Sequence, residues 1–402
     1  MSVNLFKLFN FCSFSRTNHL RLLLKPCPGS KFHQCLSTEI IKSEETNNEV
    51  VTNEEQTNDV GVPEPEKRVM RKKPYKFMLD SKSVEPSHTS IILFPGQGSQ
   101  FVGMGHDMLD IPSVQKMFET AESILGYDLL ELCLNGPSDE LNETIHCQPA
   151  IYVTSLGAVE KLRVTHPGVV EACVGTAGFS VGELAALVFA GAFSFEAGLR
   201  LVKIRAEAMQ KAAQHVPGGL MTIKFGPDAR LSLACRAAVE WCISRGIDQE
   251  HAVCSIANHL FPHCKVIGGH EEALKFLEIN AREFGIKLTK RLKVSGAFHT
   301  QLMRPAKKVF KEALFKTPFN ELLIPCYSNV DAQVYRFEKQ IHQKLPEQIY
   351  KAVKWEQVMC QIYRRPEDFQ FPKTFECGPG NNLLSILKNC NFKAYQQAKS
   401  II

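Results

Sequence analysis

The strongest constraint in this chain is a short apolar run that ends abruptly in glycine. Ser90-Ile91-Ile92-Leu93-Phe94-Pro95 is β-branched and aromatic, too short for a core helix, and it stops at Gly96-Gln97-Gly98. A run that is apolar at consecutive positions after Ser90, not at alternate ones, reads as a strand buried on both faces, the condition of a parallel sheet covered by helices. Ala172-Cys173-Val174-Gly175-Thr176-Ala177-Gly178 repeats the pattern and ends at Gly178-Phe179-Ser180-Val181-Gly182. Helical periodicity predicts helices over 114–125, 150–163, 181–190 and 195–214, the last with Leu199, Val202, Ala206 and Met209 on one stripe. Strands alternating with helices give an α/β fold with a mostly parallel sheet.

Between Pro217 and Leu292 the order changes. Strands are expected over 219–225, 252–258, 265–269 and 287–294, with helices over 231–245 and 271–284. This β-α-β-β-α-β succession is the ferredoxin-like arrangement. The expected organisation is therefore a large α/β domain over 89–216 and 293–391 with a ferredoxin-like small domain, 217–292, inserted into it. Strands over 324–329 and 375–380 complete the large domain, and 392–402 is expected to be a C-terminal tail.

The remaining N-terminal segment is of another kind. Residues 1–38 carry Lys7, Arg16, Arg21, Lys25 and Lys31 and no carboxylate, the composition of a mitochondrial transit peptide. Phe14-Ser15-Arg16 breaks the single apolar block that a secretory signal would need. Residues 39–88 are expected to be a disordered linker, acidic and then basic at Lys67, Arg68, Arg71, Lys72 and Lys73, a solvated charge run. The whole chain has 47 basic and 42 acidic side chains, and removing the five of residues 1–38 leaves 42 against 42. A neutral body offers nucleic acid no footprint, and no apolar run reaches membrane-span length. Fourteen cysteines lack zinc-ligand spacing, so no metal is expected; Cys133, Cys147, Cys173, Cys235 and Cys254 read as small hydrophobes in a reducing compartment.

Four places carry chemistry. Gly178-Phe179-Ser180-Val181-Gly182 matches G-x-S-x-G in the strand–turn–helix context that a nucleophile elbow demands. At the helix N-terminus the dipole favours negative charge developing on Ser180; the alternative is an ordinary Gly-rich turn. A serine needs a base. Of thirteen histidines, His299 stands out in the small-residue stretch Ser295-Gly296-Ala297-Phe298-His299, although a lone histidine is more often structural. Asp228 and Asp248 fall inside the insert, so a dyad is expected in preference to a triad. Gln97, on a Gly-rich turn without P-loop lysine, could stabilise an oxyanion or simply be exposed. Arg205 lies on the apolar stripe of its helix, where an unpaired guanidinium is costly. It either meets an Asp or Glu, or its fork waits for a substrate carboxylate.

Taken in order, Gly96-Gln97-Gly98-Ser99-Gln100, Gly178-Phe179-Ser180-Val181-Gly182-Glu183, Arg205 with Ala208-Met209-Gln210, Gly296-Ala297-Phe298-His299 and Glu376-Cys377-Gly378-Pro379-Gly380 resemble the malonyl-CoA:acyl-carrier-protein transacylases and the acyltransferase domains of fatty-acid and polyketide synthases. The acid-free N-terminus and Phe179, where many members carry His, are most similar to the animal mitochondrial form. The resemblance implies an α/β-hydrolase-like domain with a ferredoxin-like insert. It implies Ser180 as nucleophile, His299 as base, Gln97 and the Val181 amide as oxyanion hole, and Arg205 as malonate clamp, with Met209 and Phe298 beside the substrate. It also implies a main-chain carbonyl from the region of Ala352-Val353-Lys354-Trp355 that orients the histidine. The implied partners are malonyl-CoA and a mitochondrial acyl carrier protein; no cofactor is implied, and a monomer in the matrix is expected. Lys287, Lys290, Arg291 and Lys293, the densest basic run before His299, are expected to dock the acidic carrier, with Lys307, Lys308 and Lys311 beyond; a solvated charged face is the alternative. A serine esterase or thioesterase using the same elbow is the rival reading.

Overall fold

The computed structural model of the chain describes residues 85–365 and 370–402. The expected transit segment and residues 39–84 of the expected linker lie outside the described residues. Five parallel strands form the larger sheet: β1 (Ser90–Phe94), β2 (Cys173–Gly178), β7 (Cys326–Tyr327), β8 (Lys373–Cys377) and β9 (Ala398–Ile401), in the order β7-β2-β1-β8-β9. β1 is central and buried at all five positions. Strand alternation sends Ile92 and Phe94 to the face covered by helices Thr144–Thr165, Val181–Phe189 and Phe195–His215. Ile91 and Leu93 face helices Trp355–Ile362 and Asn382–Cys390. Each such side chain contributes roughly 1.5–3 kcal/mol by leaving water; the one polar residue of the strand, Ser90 at its start, is buried with its Oγ donating to the Val169 carbonyl at 2.6 Å.

The second sheet is antiparallel: β3 (Gly218–Phe225), β4 (Cys254–Phe261), β5 (Cys264–His270) and β6 (Ile286–Arg291), ordered β4-β5-β3-β6. With helices Leu231–Ser244 and Glu271–Asn280 between its strands, this is the ferredoxin-like order read from the sequence. Met221, Ile223 and Ile267 pack with those helices. Leu220, Val266 and Ala257, on the opposite face, join the core of the large domain. An isolated parallel bridge between Asn258 and Val353 ties β4 to the large domain.

Two differences from the sequence reading have physical causes. The helix expected from Ala150 begins at Thr144, with Pro149 inside it. A proline there forfeits one hydrogen bond, but the unbroken burial from Cys147 to Val159 outweighs it. Residues 392–402, expected as a tail, instead supply helix Phe392–Tyr395 and the edge strand β9, which pairs with β8 from Thr374↔Ala398 to Cys377↔Ile401. Four residues after a polar Gln396-Gln397 carry too little pattern to announce a strand. No helix among the described residues is long and apolar enough to cross a membrane.

Candidate active site

Parallel strands bring their C-terminal ends to one edge, where ligands of open α/β sheets bind. The register Phe94↔Gly178 sets the loop after β1 beside the turn after β2. In that turn Ser180 has φ 56° and ψ −111°, a conformation unusual for a residue with a side chain. The flanking glycines are steric requirements. A Cβ on Gly178 would overlap the Gly182 carbonyl, and one on Gly182 would run into the main-chain oxygens of Phe94 and Pro95. Asn329, just beyond β7, clamps the turn from outside. Its Oδ1 accepts from Ser180 N (2.8 Å) and its Nδ2 donates to the Gly178 carbonyl (2.7 Å).

His299, itself at φ 62°, places Nε2 2.9 Å from Ser180 Oγ and Nδ1 2.7 Å from the Gln348 carbonyl oxygen. A carbonyl only accepts, so Nδ1 carries the proton and Nε2 is free to take one from the serine. Burial and the nearby Arg205 charge pull the imidazole down to about 3, against the opposing pull of the Gln348 carbonyl. His299 is therefore neutral at physiological pH, as a base must be.

The orienting carbonyl is not in the region of Ala352–Trp355, as the resemblance implied. Gln348 is the last residue of helix Glu338–Gln348, and carbonyls of a final turn have no partner within their helix. The Val353 carbonyl is already occupied by His259 N at 2.8 Å.

Arg205 is fully buried. Nη1 donates to Gln148 Oε1 (2.7 Å), and Nη2 donates to Gln348 Oε1 (2.6 Å) and Ser180 Oγ (3.1 Å). Nε has no hydrogen-bond partner. Burial pulls the guanidinium down to about 10, opposed by Glu183, so it remains charged at neutral pH. Among the described residues no carboxylate lies within ion-pair distance of it. Neutral amides orient this cation without neutralising it, next to Ser180.

Comparison with known proteins agrees with this geometry. The acyl transferase domain family matches residues 91–361. The human malonyl-CoA-acyl carrier protein transacylase, mitochondrial, is 51% identical over 316 residues, covering 79% of this chain and 80% of the human one. The chain belongs to the malonyl-CoA-acyl carrier protein transacylases. A solved transacylase from Coxiella burnetii superposes with a TM-score of 0.70 at 29% identity, over 79% of this chain and 95% of that one. A malonyl-transacylase solved in complex with a type II polyketide-synthase acyl-carrier protein gives 0.66 at 30% identity, over 78% and 94%.

Within this transacylase fold the other expected residues fall into two groups. Met209, one turn after Arg205, is buried and its sulfur accepts from Gln148 Nε2 at 3.6 Å; Phe298 is buried beside His299. The Val181 amide opens helix Val181–Phe189 and so lacks an intrahelical acceptor. Gln97 is half-buried, and its amide donates weakly to Thr144 Oγ1 at 3.4 Å, with no hydrogen bond to Ser180. Phe179 packs on Trp355, ring centres 5.4 Å apart.

The basic run lies apart from this cluster, on edge strand β6 and just after it. Lys287, Lys290 and Lys293 are exposed. Arg291 is not a free charge: Nη2 meets Glu271 Oε1 and Nε meets Glu278 Oε1, each at 2.8 Å. It shares the register position of Met221, whose face carries helix Glu271–Asn280. Lys290, opposite Thr222, lies on the other face. Four residues of the site were not singled out from sequence: Gln148, Asn329, Gln348 and Tyr335, whose Oη donates to Glu183 Oε1 at 2.6 Å. Neutral amides and a lone tyrosine carry no local signature, and each reaches the site across the fold.

Proposed function

We propose that the chain moves the malonyl group of malonyl-CoA to the phosphopantetheine thiol of an acyl carrier protein through a malonyl ester on Ser180. The contact that carries this reading is the buried, carboxylate-free Arg205, 3.1 Å from the nucleophile. A guanidinium held that way fits an acyl group ending in a carboxylate, which it can grip bidentately. A simple esterase would have no use for it.

The chemistry runs in two symmetrical halves. Ser180 Oγ passes its proton to His299 Nε2 and attacks the thioester carbonyl carbon. The Val181 N–H, with Gln97 turned inward from Thr144, receives the negative charge on the carbonyl oxygen. The carbon–sulfur bond breaks, and the CoA sulfur leaves with the proton from His299. The carrier thiol then repeats the sequence in reverse: it gives its proton to His299, attacks the ester and releases Ser180. Arg205 grips the malonyl carboxylate throughout; an acetyl group would leave that cation buried and unmatched, so it is rejected.

The carrier docks over Lys287, Lys290 and Lys293, an exposed basic run that complements an acidic protein. The enzyme acts as a monomer in the mitochondrial matrix and feeds fatty acid synthesis there; the acid-free residues 1–38 and the mitochondrial relatives support this setting. The test is sequential. The protein is loaded with malonyl-CoA, freed of CoA and given holo-carrier. A malonyl adduct on the protein that moves to the carrier is expected; immediate release of free malonate identifies a hydrolase, and no adduct at all identifies a scaffold.

A further inference from the structure

One buried group of the elbow has no part in the steps above. Glu183, three residues after the nucleophile, is completely buried. Its carboxylate receives only donors: Gln348 Nε2 at 2.6 Å on Oε2, Tyr335 Oη at 2.6 Å and Asn329 N at 3.2 Å on Oε1. Two of the three donors, Asn329 and Gln348, lead back to the reaction centre. Asn329 clamps the turn that strains Ser180. Gln348 is held at both ends of its amide, with Nε2 also donating to the Ser180 carbonyl (2.8 Å) and Oε1 receiving Arg205. The main-chain carbonyl of the same Gln348 orients His299.

From this convergence we infer that Glu183 is a positioning residue for the acyl transfer: as an ionised carboxylate it fixes Gln348, and through it both His299 and Arg205.

The requirement for the ionised form follows from hydrogen-bond arithmetic. A carboxylate only accepts, so it satisfies three donors at once; the O–H of a protonated carboxyl finds no acceptor in Gln348 Nε2 or Asn329 N, and Tyr335 Oη can receive it only by giving up its own donation to Glu183. In so buried a network a half-satisfied state is costly. Displacing Gln348 moves the carbonyl behind His299 and the acceptor beside Arg205 together. The charged and titratable groups facing Glu183 are Arg205, from helix Phe195–His215, and Tyr335 and Cys326, from the β7 region. Tyr335 and Cys326 are pushed well above their ordinary values by burial and stay neutral. Burial raises Glu183 to about 7, while Tyr335, Gln348, Asn329 and Arg205 each hold it down. His299, at about 3, titrates far below that range.

This inference rests on the malonyl-serine reading, and the experiment separates the two. Single-turnover acylation by malonyl-CoA is followed by mass spectrometry between about pH 5 and pH 9, a range bracketing the Glu183 transition. The unaltered enzyme loses rate as pH falls through about 7, where Glu183 gains its proton. Glu183→Gln cannot titrate and presents an NH2 to donors. Its profile is flat there and sits up to about 100-fold lower, the scale of a small misplacement of reacting groups. Tyr335→Phe removes one hydrogen bond that holds the Glu183 value down, so its acid transition moves to higher pH while the alkaline plateau is kept; it decides the matter should Glu183→Gln fail to fold. An acid transition that stays in place in both variants, or in Tyr335→Phe alone if the other does not fold, overturns the role of Glu183. No adduct in the unaltered enzyme at any pH overturns the malonyl-serine reading instead.

Discussion

The elbow after β2 and the edge strand β6 are opposite solutions to presenting functional side chains. At the elbow every polar group is buried and specified more than once: Ser180 is fixed by two glycines, by Asn329 and by Gln348, and it touches both His299 and Arg205. On β6 and just beyond it the lysines are exposed, and Arg291 alone is pinned by ion pairs. Buried contacts are worth far more than the same contacts in water, so on the proposed reading the first region governs the chemical step. The second, as the proposed docking surface, would act through long-range attraction, which alters encounter and is screened by salt.

Four variants, in order of decreasing effect, test that contrast. Ser180→Ala should abolish the acyl adduct with the fold intact, because a smaller side chain fits the same turn; circular dichroism and intact mass check both halves of the statement. His299→Ala should slow acylation by roughly two to four orders of magnitude, the range for a lost acid–base group; pre-steady-state quench measures it, and near-normal turnover would dissolve the dyad. Arg205→Ala removes a charge-assisted contact worth ~1.5–3 kcal/mol to malonate, so malonyl transfer should fall about 10- to 100-fold and the preference over acetyl-CoA should collapse. An unchanged ratio of the two kcat/KM values, with both lowered together, would make Arg205 a structural cation. Reversing Lys287, Lys290 and Lys293 to Glu should weaken the carrier half-reaction by roughly tenfold at low salt and flatten its salt dependence. Acylation by malonyl-CoA should barely move; an equal fall in both halves would mean the surface is part of the catalytic unit after all.

What could be read from the sequence follows the same division. Steric necessity is local: the apolar run of β1 from Ile91 to Phe94, the Gly178 and Gly182 spacing and the β-α-β-β-α-β order are written in consecutive residues, and the fold realises each of them. The residues that finish the site are written nowhere in particular. Gln148 meets Arg205 across 57 positions and Asn329 meets Ser180 across 149. Glu183 stood within the quoted motif, yet its importance lies in donors that only the folded chain brings to it. For Arg205 the sequence left two choices, a carboxylate partner or a waiting fork; the structure supplies a third arrangement, in which neutral amides hold the cation in readiness. The orienting carbonyl was misplaced because its source, the orphaned end of helix Glu338–Gln348, depends on where that helix stops. Charge on β6 was legible, but the pairing of Arg291 was not, since Glu271 and Glu278 reach it from a helix packed on the same sheet face.

On the proposed reading, a buried cation without a carboxylate partner, 3.1 Å from Ser180 Oγ, chooses the acyl group. The most direct measurement offers the unaltered protein equal amounts of malonyl-CoA and acetyl-CoA and maps the acyl groups it carries after a brief pulse, peptide by peptide. A malonyl ester on the peptide containing Ser180, with acetyl nearly absent, is expected. Equal loading of acetyl on Ser180, or malonyl carried on any other residue, would rule out selection by Arg205 at this serine.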